Sequence, residues 1–455
     1  MAQSRRSRVV RQLSVMRLWL TPGMGVKRHV ALAAVGTLLL VFGVVAGALW
    51  LLDDIGGSRQ AISQPIEDLL VGSPWRMYGG WLALATGLLG VVLAVLAIGR
   101  LNRSLLSNWM PQPRDAALVL HRRLSLAKGA KIVAIGGGTG LSNLLRGLRH
   151  YSSNLTAVVT VSDDGGSSGR LRSAFDMPAP GDLSDCLAAL SDNELEVSRL
   201  LQYRFDRGEE LSGHTFGNLI ITTLTEVEGD FAKAIRVLNS LLNLTGSVYP
   251  VSPEPISLTV VKEDGTEVKG ESKVRGVAGA IERLTIEPLR PRATPEVISS
   301  ILNAEVVVLG PGSLFTSTLP PLLVPGVQRA LVQARARVVY ICNIMTEAGE
   351  TDGFSVFDHV QALYKHLGRY PDQVIVNATS VDPERQASYE LEGATVVPFD
   401  PEPFNRLGIE VVSLPLLGAG PHAQHDSLTL AAWLAETARS TTPSKLRDDS
   451  KVALS

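Results

Sequence analysis

Cysteine is nearly absent: Cys186 and Cys342 are the only two in 455 residues, and they lie far apart in sequence. That excludes a disulfide framework and argues against a zinc site. Net charge is nearly absent as well, at -1, and no nucleic-acid partner is expected. The balance hides a local asymmetry. Residues 1–28 carry Arg5, Arg6, Arg8, Arg11, Arg17, Lys27 and Arg28 and no acidic residue. Charge of either sign is missing from two longer runs, Val30 to Leu52 and Met77 to Gly99, in a chain that is 45% hydrophobic.

Each uncharged run, at about 1.5 Å per helical residue, is long enough for a hydrocarbon core of about 30 Å. Lys27 and Arg28 precede the first run and Asp53 and Asp54 follow it; Trp75, Tyr78 and Trp81 open the second, and Arg100 and Arg103 close it. The aromatics suit a membrane interface, and the basic flanks face the cytoplasm under the positive-inside rule. The expectation is a multi-pass cell-membrane protein: a basic cytoplasmic tail (1–29), a transmembrane hairpin (30–99) and a linker (100–128) containing Pro111 and Pro113. Both the N-terminus and the main domain (129–440) are then cytoplasmic. A polar tail (441–455), expected to be disordered, completes the chain.

From Lys131 onward, short apolar runs alternate with helical patterns, the signature of parallel βαβ units. Strands are expected at Ile132 to Ile135, Ala157 to Val161, Glu305 to Leu309, Val338 to Ile341, Val374 to Val376 and Val411 to Leu414. Such near-continuous apolar strands are covered on both faces by helices. Ile256 to Val261 and Glu267 to Gly270 alternate instead and flank a turn, Glu263 to Thr266, predicting an inserted β-hairpin. The fold class expected is α/β, a Rossmann-like parallel sheet with an inserted hairpin region, preceded by two transmembrane helices.

Gly136, Gly137, Gly138, Thr139 and Gly140 follow the first strand and precede the helical run Leu141 to Leu148. Glycines let the backbone approach a ligand, and amides at a helix start offer donors to phosphate. No Gly-Lys-Ser/Thr follows, so this is not a P-loop; Leu141 occupies the third glycine position of a dinucleotide fingerprint, which weakens a nicotinamide-dependent oxidoreductase. After the second strand come Ser162, Asp163, Asp164, Gly165, Gly166, Ser167, Ser168, Gly169 and Arg170. These carboxylates can accept ribose hydroxyls, hold Mg²⁺ beside a diphosphate, or close an Asx turn. Gly312, Ser313 and Thr316, and then Asn343, also sit where strands hand over to loops, the place where open parallel sheets bind ligands. His214 and Asn218 flank the start of another helix; His214 can serve a phosphate, act as an acid, or cap the helix. His422 and His425, without another identified ligand, read as a helix-entry turn or ligand contact rather than a metal site.

Ile135 to Leu141, Ser162 to Arg172, Pro180 to Asp182, Gly213 to Leu219, Gly310 to Leu319 and Asn343 to Gly353 together resemble the gluconeogenesis-factor (YvcK-like) family, related to the 2-phospho-L-lactate transferase CofD. The resemblance covers about Lys131 to Arg439. It implies UDP-sugar binding, for example UDP-N-acetylglucosamine, and a role in cell shape and wall synthesis during gluconeogenic growth. It places Gly136 to Gly140, Gly312 and Ser313 at the diphosphate, and Asp163 at a metal-binding or catalytic carboxylate position. The ligand set expected also includes Asp164 to Ser168, Asp182, Asn218, Thr316 and Asn343, with Asp163 and His214 as catalytic candidates. Mg²⁺ is the cofactor expected, with no tightly bound organic cofactor. The expected partners are the UDP-sugar or a related nucleotide diphosphate, the membrane, and a second copy of the chain. The alternative function is a CofD-like transferase using a nucleotide-diphosphate donor; catalysis is left open.

Overall fold

The structure, a computed structural model, describes residues 26–55, 74–106, 116–274, 276–277 and 279–441. The basic tail up to residue 25, the connector prolines and the polar tail beyond 441 lie outside the described residues. The chain divides into two compact units, residues 1–122 and 123–455.

In the first unit, helices Val26–Ile55 and Pro74–Leu106 pack antiparallel along a stripe of small residues. Their backbones touch: a Cβ on Gly43 would lie 2.6 Å from the amide nitrogen of Gly87, and one on Gly90 2.5 Å from that of Leu40. Ala46, Ala83 and Ala97 are buried in the same seam, whereas Leu38, Phe42, Leu82 and Leu88 point outward and are exposed. By length and composition, both helices can cross a membrane, over Arg28–Leu51 and Tyr78–Asn102. Close approach of small residues is how helices associate where no hydrophobic drive separates them from their surroundings.

The second unit is built on a seven-stranded sheet, β1 (Ile132–Gly136), β2 (Leu155–Val159), β3 (Ser247–Pro250), β7 (Val306–Leu309), β8 (Arg337–Ile341), β9 (Gln373–Asn377) and β10 (Glu410–Leu414), in the order β10-β9-β8-β7-β1-β2-β3. Every neighbouring pair is parallel. The chain runs outward from β1 through β2 to β3, then returns to pair Ile132 with Val306 and runs outward the other way. The strand order therefore reverses between β1 and β7, the topological switch point of a Rossmann-like α/β fold. β1 and β7 are buried along their whole length, as strands covered on both faces must be.

Between β3 and β7 lies a separate antiparallel sheet of β4 (Ser257–Lys262), β5 (Glu267–Lys269) and β6 (Ile281–Glu287), in the order β5-β4-β6. The expected hairpin is thus two strands of three. β6 and β3 were not expected. β3 is a four-residue edge strand with alternating burial that ends in proline, too short to show a period. β2 begins at Leu155 and ends at Val159, so Thr160 and Val161, assigned to the strand by their apolar run, already belong to the loop.

Candidate functional site: two cavities at the carboxyl edge of the sheet

At the switch point two glycine loops meet. β1 ends at Gly136, Gly137 forms the N-cap of helix Gly138–Leu148, and Gly138 has a φ of +64°, a left-handed turn that favours glycine. The loop after β7 runs through Gly310 and Pro311, joined by a cis peptide, to Gly312 and Ser313. A Cβ on Gly140 would lie 2.5 Å from the Pro311 carbonyl oxygen. The two backbones can be this close only with glycine there. First-turn amides of a helix have no intrahelical carbonyl to bond, so Thr139 and Gly140 bring N–H donors to this end of the helix, which has no side-chain cap.

A first cavity of about 180 Å³ opens here, lined by Gly140, Gly312, Asn343, Glu347, Tyr389 and Gln424 among others. Glu347 organises one wall: its carboxylate accepts from Ser313 Oγ at 2.5 Å and from Asn343 Nδ2 at 3.3 Å. Thr316 is turned away from the cavity. It is buried and its hydroxyl donates to Glu350 at 3.3 Å, itself fully buried.

A second cavity of about 510 Å³ lies at the carboxyl end of β2 and brings together Asp163, Gly165, Gly166, Ser167, Ser168, Asp182 and Asn218. Asp163 lines it while closing an Asx turn, accepting from the Gly165 amide at 2.8 Å. Asp164 instead turns to the antiparallel sheet side and accepts from the Ser272 amide at 2.8 Å. Ser167 Oγ lies 2.9 Å from His214 Nδ1, and Asn218 Nδ2 donates to Ser167 at 3.0 Å and Ser168 at 3.3 Å. The cap of helix Phe216–Glu228 is Thr215, not His214. Burial, reinforced by Arg170 and Arg204, pulls the His214 pKa down, which favours the neutral imidazole.

Asp182 lines the second cavity beside the first glycine loop. The Gly138 amide bonds to its carboxylate, and a Cβ on Gly137 would come within 2.3 Å of its Oδ2. Burial raises its pKa to about 7, opposed by the Gly138 bond and reinforced by Asp163 and Asp185. Glu271 is raised well above the usual carboxylate range by burial, then by Asp182 and Asp163. Among the described residues no group of three or more His, Cys, Asp or Glu converges to hold a metal. Mg²⁺ commonly takes one or two carboxylates plus phosphate oxygens and water, and the Asp163 carboxylate beside the glycine loop fits that partial set. His425 lines the first cavity: its Nε2 lies 3.1 Å from the Cys342 carbonyl, burial lowers its pKa to about 4, and Asp426 caps the last helix through Leu428 and Thr429.

Lys262 was missed, although β4 carries a signal for it: Leu258, Val260 and Lys262 share the buried face. Lys262 is 1% exposed, and its ammonium donates to the carbonyls of Gly279, at 2.7 Å, and Gly349, tying the antiparallel sheet to the loop that carries Glu347 and Glu350. Burial lowers its pKa, with Asp352 and Glu350 acting in the opposite sense. Lys262→Met should cost about 1–3 kcal/mol, because it leaves the carbonyls of Gly279 and Gly349 without their donor, and should show as a lower urea midpoint. A midpoint within experimental error of wild type would mean the tie carries no load.

The family profile described as 2-phospho-L-lactate transferase CofD matches residues 132–417. A Deinococcus radiodurans relative bearing the gluconeogenesis-factor name is 43% identical over 433 residues, 94% of this chain and 90% of its own. The gluconeogenesis factor of Bacillus subtilis is 45% identical over 283 residues, 62% of this chain and 89% of its own. A solved Bacillus halodurans structure, described as a member of the UPF0052 family, superposes with a TM-score of 0.65 at 42% identity, covering 68% of this chain and 99% of that one.

Proposed function

The chain belongs to the gluconeogenesis-factor branch of the CofD family, and from that premise we propose that it binds a UDP-sugar and regulates cell shape and wall synthesis during growth on gluconeogenic carbon. The observation that carries the reading is the crossing of two glycine loops at the switch point, with Gly140 against Pro311. Backbone amides at a helix start and a Gly-rich crossing suit a diphosphate, and the larger flanking cavity suits what is attached to it. Asp163 is the carboxylate that shares Mg²⁺ with the diphosphate in this reading.

Thermal-shift titration of the full chain in detergent tests it, with UDP, UDP-N-acetylglucosamine, GDP, NAD and a deazaflavin precursor. A ligand at 100 times its Kd stabilises the native state by about 2.7 kcal/mol, so the UDP compounds should raise Tm and the others should not. A response confined to GDP and the deazaflavin precursor would favour the transferase. That second reading rests on the Ser167–His214 pair and Asp163 beside the loop; its own test is product formation from a nucleotide-diphosphate donor.

We further propose that the two apolar helices hold the protein in the cell membrane with both flanks cytoplasmic. The 94% coverage by the Deinococcus relative is too large to leave both helices outside the matched region. Reporter fusions after Arg28 and after Arg103 should read cytoplasmic and one at Gln60 external; an external result after Arg103 overturns the topology.

A further inference from the structure

The second cavity has a chemistry of its own. Apart from its glycines, its walls offer neutral hydroxyls and amides from Ser167, Ser168, Gln202 and Asn218, while three carboxylates, Asp163, Asp182 and Asp185, face one guanidinium, Arg204. That guanidinium is already engaged by the Gly213 carbonyl at 2.6 Å. Ser167 and Ser168 are further held by Asn218. Asp182, in the lining of this cavity, accepts from the Gly138 amide, the Cβ position of Gly138 opens onto free space, and Gly140, two residues on, lines the first cavity. A diphosphate laid over this loop would send one end of the ligand into each cavity.

We propose that the second cavity takes the sugar end and selects a neutral, hydroxyl-rich sugar against a carboxylated one. The inference rests on the UDP-sugar reading above and adds a substrate class to it. Vicinal hydroxyls donate to carboxylates and exchange hydrogen bonds with serine hydroxyls and the Asn and Gln amides. A sugar carboxylate would be placed beside Asp182 and Asp185, where one guanidinium stands against the three carboxylates of the lining. Like charges in a partly desolvated site discriminate strongly between partners. The smaller first cavity, with Tyr389 and Leu144 beside Asn343 and Gln424, mixes apolar and hydrogen-bonding walls as a nucleoside requires.

The test is calorimetric titration of the full chain in detergent at pH 8 with UDP, UDP-glucose and UDP-glucuronate. UDP-glucose should bind at least about tenfold more tightly than UDP-glucuronate. Asp185→Asn, checked for folding by its melting curve, should narrow that ratio, chiefly by improving the glucuronate. A wild-type ratio near one overturns the proposal, as does a ratio that this variant leaves unchanged. Failure of the underlying reading looks different: UDP itself would not bind.

Discussion

Gly140→Val should weaken UDP-sugar binding by tenfold or more and lower stability by about 1–3 kcal/mol, read by calorimetric titration and urea denaturation. The added Cβ would meet the Pro311 carbonyl oxygen at 2.5 Å and its carbon at 2.8 Å. Both are backbone atoms and cannot swing aside, so the loops after β1 and β7 must separate and their donors lose register. Gly138→Ala is the informative companion. Nothing lies within 4 Å of its Cβ position, but the φ of +64° strains any other residue, which costs about 1–2 kcal/mol without forcing the loops apart. Wild-type affinity in a folded Gly140→Val protein would show that the crossing is scaffold and not cradle.

The second large effect concerns pH. Asp182 has its folded pKa raised to about 7, mainly by burial, whereas an unfolded aspartate titrates near 4. Between those values the folded state holds the extra proton, so this group's contribution to stability is fully present below about pH 4 and is lost as pH rises through 7. Asp182→Asn removes the charge while its amide oxygen can still accept from Gly138. Relative to wild type, the variant should gain from pH 4 to pH 8, reaching a few kcal/mol, on the scale of about 1.4 kcal/mol per pKa unit. Denaturation should be run with EDTA, since a bound cation would reverse the sign for the wild type. Glu271 and Asp185 are raised in the same sense, so in the variant the slope is smaller than in wild type and not abolished. A pH-independent difference between the two proteins would place the Asp182 carboxylate in ordinary solvent.

How much of this could be read from the chain depended on the range of the interaction. β1, β7, β8 and β9 announce themselves because strands buried on both faces need unbroken apolar runs, and the glycine loops announce themselves because few other residues make such turns. What lay hidden was the partner each polar residue finds across the sheet. Asp163 and Asp164 are neighbours in sequence, yet one lines the cavity and the other holds the Ser272 amide on the antiparallel sheet side. Ser313, Thr316 and Asn343 looked like ligand donors, and in the folded chain they meet Glu347 and Glu350 from a loop 34 residues on, or in Asn343's case four. His214 stood between capping a helix and serving a site; the hydroxyl of Thr215 does the capping and leaves His214 beside Ser167.

The pairing of β1 with β7 also sets a timetable. The Lys131 amide bonds to the Glu305 carboxylate 174 residues later, which a ribosome moving at about 5–20 residues per second takes roughly 9 to 35 s to make. Until then β1 and β2 stand with an open edge, and only one of the two glycine loops exists. A ligand cannot shelter the nascent chain during that interval, because closing so long a loop must precede any binding. Mass-action rescue by the ligand therefore begins only with the finished sheet, and truncations that stop before Val306 should depend on chaperones whatever the ligand concentration.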